Sequence, residues 1–176
     1  VKFLIMCEGS NELAIMKILL EHDCLKFNID DLLDLRPFHA RQIFKSTVIK
    51  AALSIYTEKV TILRIGDSLN EKLKISSEYK NRIVEVKKYC TKPELEMLII
   101  ISENLVSEYD KKKSKIKPKD FTKENVIYER RRYDNSTEFY KNYFSDYIKL
   151  VNSIKEYKRI KSSHNKDELY LADLLK

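Results

Sequence analysis

The residues best placed to do chemistry are two acids, each standing beside one of the chain's only two glycines. Glu8 precedes Gly9 at the end of the apolar run VKFLIMC, and Asp67 follows Gly66 at the end of VTILRI. Glycine admits close approach of another group, so both glycines spent beside acids at the ends of apolar runs point to one shared site. Two carboxylates offer hard oxygen donors, and together with waters and phosphate oxygens they suffice for a magnesium ion. An ion so held could activate water and offset the charge that builds on a phosphodiester during displacement. Glu8 and Asp67 are therefore read as metal ligands of an acidic site. The bland alternative is that such acids cap helices or face solvent, and for Glu12 it is a first-turn partner of the helix dipole.

Positioning the pair requires two parallel strands that end side by side. Lys2 to Met6 reads as a buried strand, followed by a helix through Leu13 to Leu20 that Ser10 can cap. Asp31 to Phe38 reads as a second strand ended by Pro37, and Arg41 to Tyr56 as a helix. Val60 to Ile65 is the clearest strand, β-branched and apolar. Asn70 to Asn81 is polar, a short helix or a loop. Ile83 to Tyr89 alternates as a fourth strand near a sheet edge, and Pro93 opens a helix through Tyr109. Alternating β and α segments imply a mostly parallel sheet with helices on both faces, and ligands in such sheets bind beyond the carboxyl ends of the strands. If strands one and three are neighbours, Glu8 and Asp67 meet there.

Composition bounds the rest. A chain of 176 residues, 43% hydrophobic, can form one α/β domain with an appendage. The expected division is an α/β domain over residues 1–110, then a basic linker and C-terminal helices over 111–176. Asn135 with Glu138 signals a helix start, with Tyr140, Tyr143, Tyr147, Leu150, Ile154 and Tyr157 as one long apolar stripe; Asn165 with Glu168 signals a short terminal helix. Three cysteines without CxxC spacing suggest buried thiols in a reducing compartment, with neither disulfide nor zinc. No stretch approaches the roughly 20 apolar residues of a membrane helix, so a cytoplasmic location and no membrane partner are expected.

The net charge of +7 is local. Lys111 to Tyr133 holds ten basic residues against three acids, which leaves 24 of each in the remainder of a chain that carries 34 and 27. Charge so confined suits a polyanion. Lys111, Lys112, Lys113, Arg130, Arg131 and Arg132 are the candidate phosphate contacts for DNA or RNA, with Tyr128 and Tyr133 as aromatics able to stack on unpaired bases; the alternative is a solvated loop. Arg36 and His39, near the same sheet edge, could touch a phosphate or shuttle a proton, or simply lie in a surface loop.

The run Glu8-Gly9-Ser10-Asn11-Glu12 after an apolar strand, with an apolar strand ending in Asp some fifty residues later, resembles the TOPRIM domain, and most closely the compact OLD and RloB type associated with bacterial antiphage nucleases. The resemblance covers roughly Val1 to Tyr109 and implies a four-stranded, Rossmann-like, mostly parallel sheet, with metal-dependent phosphodiester hydrolysis using magnesium or, in its place, manganese. Glu8 matches the family's first-strand glutamate and Asp67 the first aspartate of Asp-x-Asp; the second falls at Leu69 and is absent. Glu96 in KPELEMLI is the counterpart of a further catalytic glutamate, with Glu94 beside it. A second ion would need Glu12, Glu71 or Glu96 to turn inward. Two other functions stay open: a catalytically degenerate TOPRIM-like module that binds nucleic acid or protein, and a receiver-like phosphoacceptor with Asp67 and Lys92-Pro93. A homodimer or a partner ATPase is left undecided.

Overall fold

The computed structural model describes residues 1–160 and 164–176. Its sheet is built by strands that are apolar on both faces. In β1 (Lys2–Cys7) Leu4 and Met6 join one hydrophobic cluster and Ile5 and Cys7 the other, as a pleated strand between two helical layers must. The same sorting runs through β3 (Val60–Gly66), which is buried along its whole length. With β2 (Phe38–His39), β4 (Ile83–Cys90) and β7 (Glu168–Leu169) these form a five-stranded sheet in the order β2-β1-β3-β4-β7, every pair parallel. Helix α1 (Ser10–Glu21) packs on one face. Helix α2 (Thr47–Ile55), preceded by β2, covers the other, where Ile49, Ala52 and Leu53 meet Leu4, Met6 and Ile62. The architecture is α/β, a parallel sheet flanked by helices and compatible with a Rossmann-like fold.

Several elements differ from the expected ones, each for a local reason. The sheet has five strands rather than four, because Glu168–Leu169 joins the edge beside β4 at Lys88 and Tyr89 instead of opening a helix. Glu168 is held there by Lys92 Nζ at 2.7 Å and by the Asn165 backbone N–H at 2.9 Å. The second strand is not Asp31 to Phe38. Asn28 and Asp31 bond each other's backbone, coiling Ile29–Asp31 into a 3-10 turn; such side-chain bonds compete with strand pairing. Before Pro37 the segment makes a single parallel bridge, Leu32 to Phe3, and a ladder begins at Phe38. The helix expected from Arg41 begins instead at Thr47, where the Ser46 hydroxyl accepts the Ile49 N–H. The short α3 (Ser77–Lys80) falls in the polar stretch.

The helix expected through Tyr109 is two, α4 (Met97–Ser102) and α5 (Val106–Lys112), parted at Asn104 with φ 57°. Beyond them come α6 (Pro118–Asn125) and a tight hairpin of β5 (Ile127–Tyr128) and β6 (Arg131–Arg132). The long tyrosine helix is also two, α7 (Thr137–Tyr143), capped by Ser136 rather than Asn135, and α8 (Tyr147–Ile160).

These later elements share the larger hydrophobic cluster with α1 and the sheet: α8 packs on α4 and α7 on α1. Tyr140, Tyr143, Leu150, Ile154 and Tyr157 are all buried in it. The chain end is tied back as well, with Leu175 bridged to Leu25. Among the described residues no helix is long and apolar enough to cross a membrane. Truncating Ile154, which is 1% exposed, to alanine is expected to cost about 2–5 kcal/mol in urea unfolding. Far-UV and tyrosine signals should then shift together, since one cluster spans both halves.

Candidate functional site

The parallel ladder of β1 and β3 runs from Lys2 opposite Val60 to Cys7 opposite Ile65, so both strands leave the sheet at the same height. Glu8 and Asp67 are the next acids out on each. The Glu8 N–H closes on the Ile65 carbonyl at 2.8 Å, and the Asp67 N–H donates to Glu8 Oε2 at 3.2 Å. The two sequence-selected acids therefore meet at the carboxyl end of adjacent strands.

Both glycines serve this meeting by lacking a side chain. A Cβ on Gly66 would stand 2.4 Å from Glu8 Oε2 and 2.8 Å from both Glu8 Cβ and Leu69 Cδ2. A Cβ on Gly9 would stand 2.5 Å from Glu12 Oε2, with the next nearest atom at 3.5 Å. Neither glycine has a positive φ, so close approach and not backbone freedom is what each position requires.

Around the pair lies a cleft of ≈ 400 Å³ whose walls include Glu8, Glu12, Asp67, Glu94 and Glu96, with Arg41 and Lys119 as its cations. Glu12 reaches it from the first turn of α1 and is buried. No side chain caps that helix: Gly9, not Ser10, holds the cap position. Glu96 reaches the cleft from the N-terminus of α4, also buried, and accepts the Tyr133 hydroxyl at 2.6 Å. Glu94 accepts the Lys119 backbone N–H at 2.9 Å. Asn135 is best oriented with its amide nitrogen toward Glu96 Oε1 and its oxygen toward Lys119 Nζ, each at 3.2 Å. Arg41 stands 3.9 Å from Glu8 Oε1 and donates to the Glu8 carbonyl at 3.3 Å.

Crowding sets the electrostatics. Burial first, then Glu12, Glu96, Glu8 and Glu94, push the Asp67 carboxyl up to about 8, and its buried Oδ1 finds no hydrogen-bond partner among the described residues. Burial likewise raises Glu12, with Glu8 and Glu96 adding to it against its own backbone N–H and Arg41. Glu96 is raised by burial, partly offset by the Tyr133 hydroxyl. Hard carboxylate oxygens with an orphaned buried acceptor fit a magnesium or manganese ion in kind. As arranged, though, among the described residues no three His, Cys, Asp or Glu side chains converge closely enough to hold a metal. Leu69, at the position of the absent aspartate, is 3% exposed and packs toward Gly66, so it presents nothing polar to the cleft.

No protein-family model matches the chain, and comparison with curated proteins and with solved structures finds no match.

Other candidates lie elsewhere. Arg36 is paired with Asp34 at 2.8 Å, and Glu71 is exposed and lines a neighbouring groove with His39 rather than the cleft. In the basic segment, Arg131 is bound by Asp134 and Glu138, Arg132 donates to the carbonyls of Lys123 and Glu124, Lys113 pairs with Asp110, and Lys112 stands over Phe121. Lys111 and Arg130 are exposed. Tyr133 is buried against Glu96 and so cannot stack on a base, and Tyr128 packs edge-on to Tyr143. Tyr133, Asn135, Tyr140, Lys119 and Arg41 are site residues that sequence reasoning passed over. Lys119 carried a signal as part of the charge run, while Tyr133, Asn135 and Tyr140 were read for other roles, as a stacking aromatic, a helix start and part of an apolar stripe.

Two outcomes follow from this geometry. Gly66→Ala is expected to cost about 1–3 kcal/mol because its methyl meets strand-anchored atoms, while Gly9→Ala meets only the end of a flexible side chain and costs less; chemical denaturation checks the order. The folded pKa of Asp67, about 8 against the ordinary 3.8, means that the folded chain keeps a proton the unfolded chain has released between those values. Stability therefore falls as pH rises through that window. Without divalent metal, the Tm of Asp67→Asn relative to wild type should climb by about 3 °C or more from pH 4 to pH 8.5. A flat difference would show that the crowding is absent.

Proposed function

We propose that the cleft binds a divalent cation and hydrolyses phosphodiester bonds of nucleic acid. The observation that carries this reading is Asp67: a carboxylate with a buried, partnerless oxygen, pressed among Glu8, Glu12, Glu94 and Glu96. Nothing in the metabolism of a fold asks for such crowding, and strongly perturbed acids in a cleft are a recurrent mark of chemistry. Its place beyond the carboxyl ends of parallel strands supports it further.

Glu8 and Asp67 would hold the ion, with Glu12 the nearest further carboxylate; when bound, magnesium or manganese supplies Lewis acidity toward the phosphate and lowers the pKa of water. The remaining work belongs to the chain. Arg41 beside Glu8 and Lys119 beside Glu94 would draw in and orient the phosphate against the negative field. Glu96, held by Tyr133 and Asn135 and raised above the usual carboxylate range by burial, is the carboxyl group placed to take or return a proton.

A second reading is a binding module without turnover, favoured by the apolar Leu69 where a second aspartate would stand. One set of assays separates them. With magnesium or manganese, single- and double-stranded DNA and RNA are offered as substrates. Cleavage is expected, abolished by chelation and reduced about 100-fold or more in Glu8→Gln and in Asp67→Asn. Cleavage that survives both changes removes the metal-site reading. Salt-sensitive binding that ignores EDTA, with no product, supports the module instead.

A further inference from the structure

Beside the acidic cleft lies a second groove of ≈ 520 Å³ that shares Glu8 and Arg41 with it as a common wall and runs past His39 to Lys45 and Ser46. The loop near it is fixed by one buried residue. Gln42, fully buried, donates its amide to the Lys72 carbonyl at 3.0 Å and accepts the Lys74 N–H at 2.9 Å. That clamp ties the loop bearing Lys72 and Lys74 to the 3-10 turn Ile43–Lys45. On the same turn Phe44 is 49% exposed, with the ammonium groups of Lys45 and Lys74 at 5.7 and 5.9 Å from its ring centroid.

An exposed ring with two ammonium groups 5.7 and 5.9 Å from its centroid, on the turn next to a groove lined by Arg41 and Lys45, combines what an unpaired polynucleotide strand needs. Cations neutralise its phosphates, and an aromatic face takes a base that has no pairing partner. Glu8 and Glu71 are the acids in the walls, matched there by Arg41 and Lys45, and Lys74 adds a further cation beside Phe44. The charge run at Lys111 to Arg132 lacks this combination, since its arginines 131 and 132 are bonded within the chain and its Tyr133 is buried.

We propose that this groove, together with the Phe44 turn beside it, seats a single-stranded stretch of nucleic acid adjoining the phosphodiester in the acidic cleft, with Phe44 as the stacking platform at its rim and Arg41, Lys45 and Lys74 as phosphate contacts. The assignment rests on the nuclease reading of the cleft, deepening it to a substrate with an unpaired strand. It is tested where that reading plays no part.

Fluorescence anisotropy of a labelled oligothymidylate of about 15 nucleotides is measured with the full chain in EDTA, between about 50 and 200 mM salt. Phe44→Ala is expected to weaken binding about 10-fold or more, while Phe44→Tyr keeps it. Lys45→Ala and Lys74→Ala should each reduce the slope of log affinity against log salt by about 0.7. No binding, binding indifferent to Phe44, equal binding of a blunt duplex, or loss confined to the Lys111, Lys112 and Lys113 triple alanine variant would each overturn it. Strand binding that depends on Phe44, without cleavage in magnesium, keeps the groove and discards the metal reading, so the two failures are distinguishable.

Discussion

Convergence of carboxylates is the constraint around which the molecule is arranged. The in-register parallel pairing of β1 and β3 delivers Glu8 and Asp67 to the same edge, α1 adds Glu12 and the turn into α4 adds Glu94 and Glu96. Like charges in a partly desolvated cleft repel, and burial strengthens that repulsion. Pairing relieves it only in part: Arg41 stands 3.9 Å from Glu8 and also opposes the rise of Glu12, while Lys119, beside Asn135, opposes that of Glu96, and burial outweighs both cations. A fold that keeps such a cluster gives up stability at that place, and it can do so because two large hydrophobic clusters on either face of the sheet hold the strands regardless.

The later part of the chain acts on the cleft through aromatic hydroxyls. Tyr133, buried among Phe139 and Tyr140, donates to Glu96. Tyr157, from α8, accepts the Lys92 N–H at 2.6 Å and donates to the Lys92 carbonyl at 3.1 Å, fixing the turn that leads from β4 to Glu94 and Glu96. A tyrosine can bury a large apolar ring and still present one donor at its tip. This explains how a segment rich in tyrosine can be both core and wall of a polar site.

Strands β1 and β3 were legible because each is a continuous apolar run that ends at a glycine and an acid, a signal carried within seven or eight residues, and β4 was legible by its alternation. The pairing of Glu8 with Asp67 followed from that topology. What escaped were features decided by contacts distant in sequence. Glu168–Leu169 has no strand pattern of its own and is a strand only because β4 offers it an edge. Asn135 looked like a helix cap, but its side chain faces Glu96 and Lys119, and Ser136 takes the cap. The tyrosine stripe was correctly apolar, yet its break after Tyr143 turns on Phe144 packing inward and on Asp146 accepting the Ile148 N–H at 3.0 Å. Density of charge along the chain did not point to most cations of the cleft and groove: Arg131 and Arg132 are bonded within the chain, while Arg41 and Lys45 come from one loop, Lys74 from another, and only Lys119 lies in the charge run.

Absence of an acid at Leu69 does not by itself settle what the cleft can hold. Ligand count at such a site depends on which carboxylates reach the edge of the sheet, and Glu12 and Glu96 arrive there from helix starts instead of from the strand-end loop. The sharper question is how Asp67 lives with its surroundings near neutral pH. A proton on it would remove the charge, but its buried Oδ1 would still lack a partner. A hard cation would answer both the charge of the cluster and the empty coordination of that oxygen. The acids are individually explicable as caps, turns or solvated residues, and only their sum, with one oxygen left unsatisfied, asks for something the chain itself does not supply.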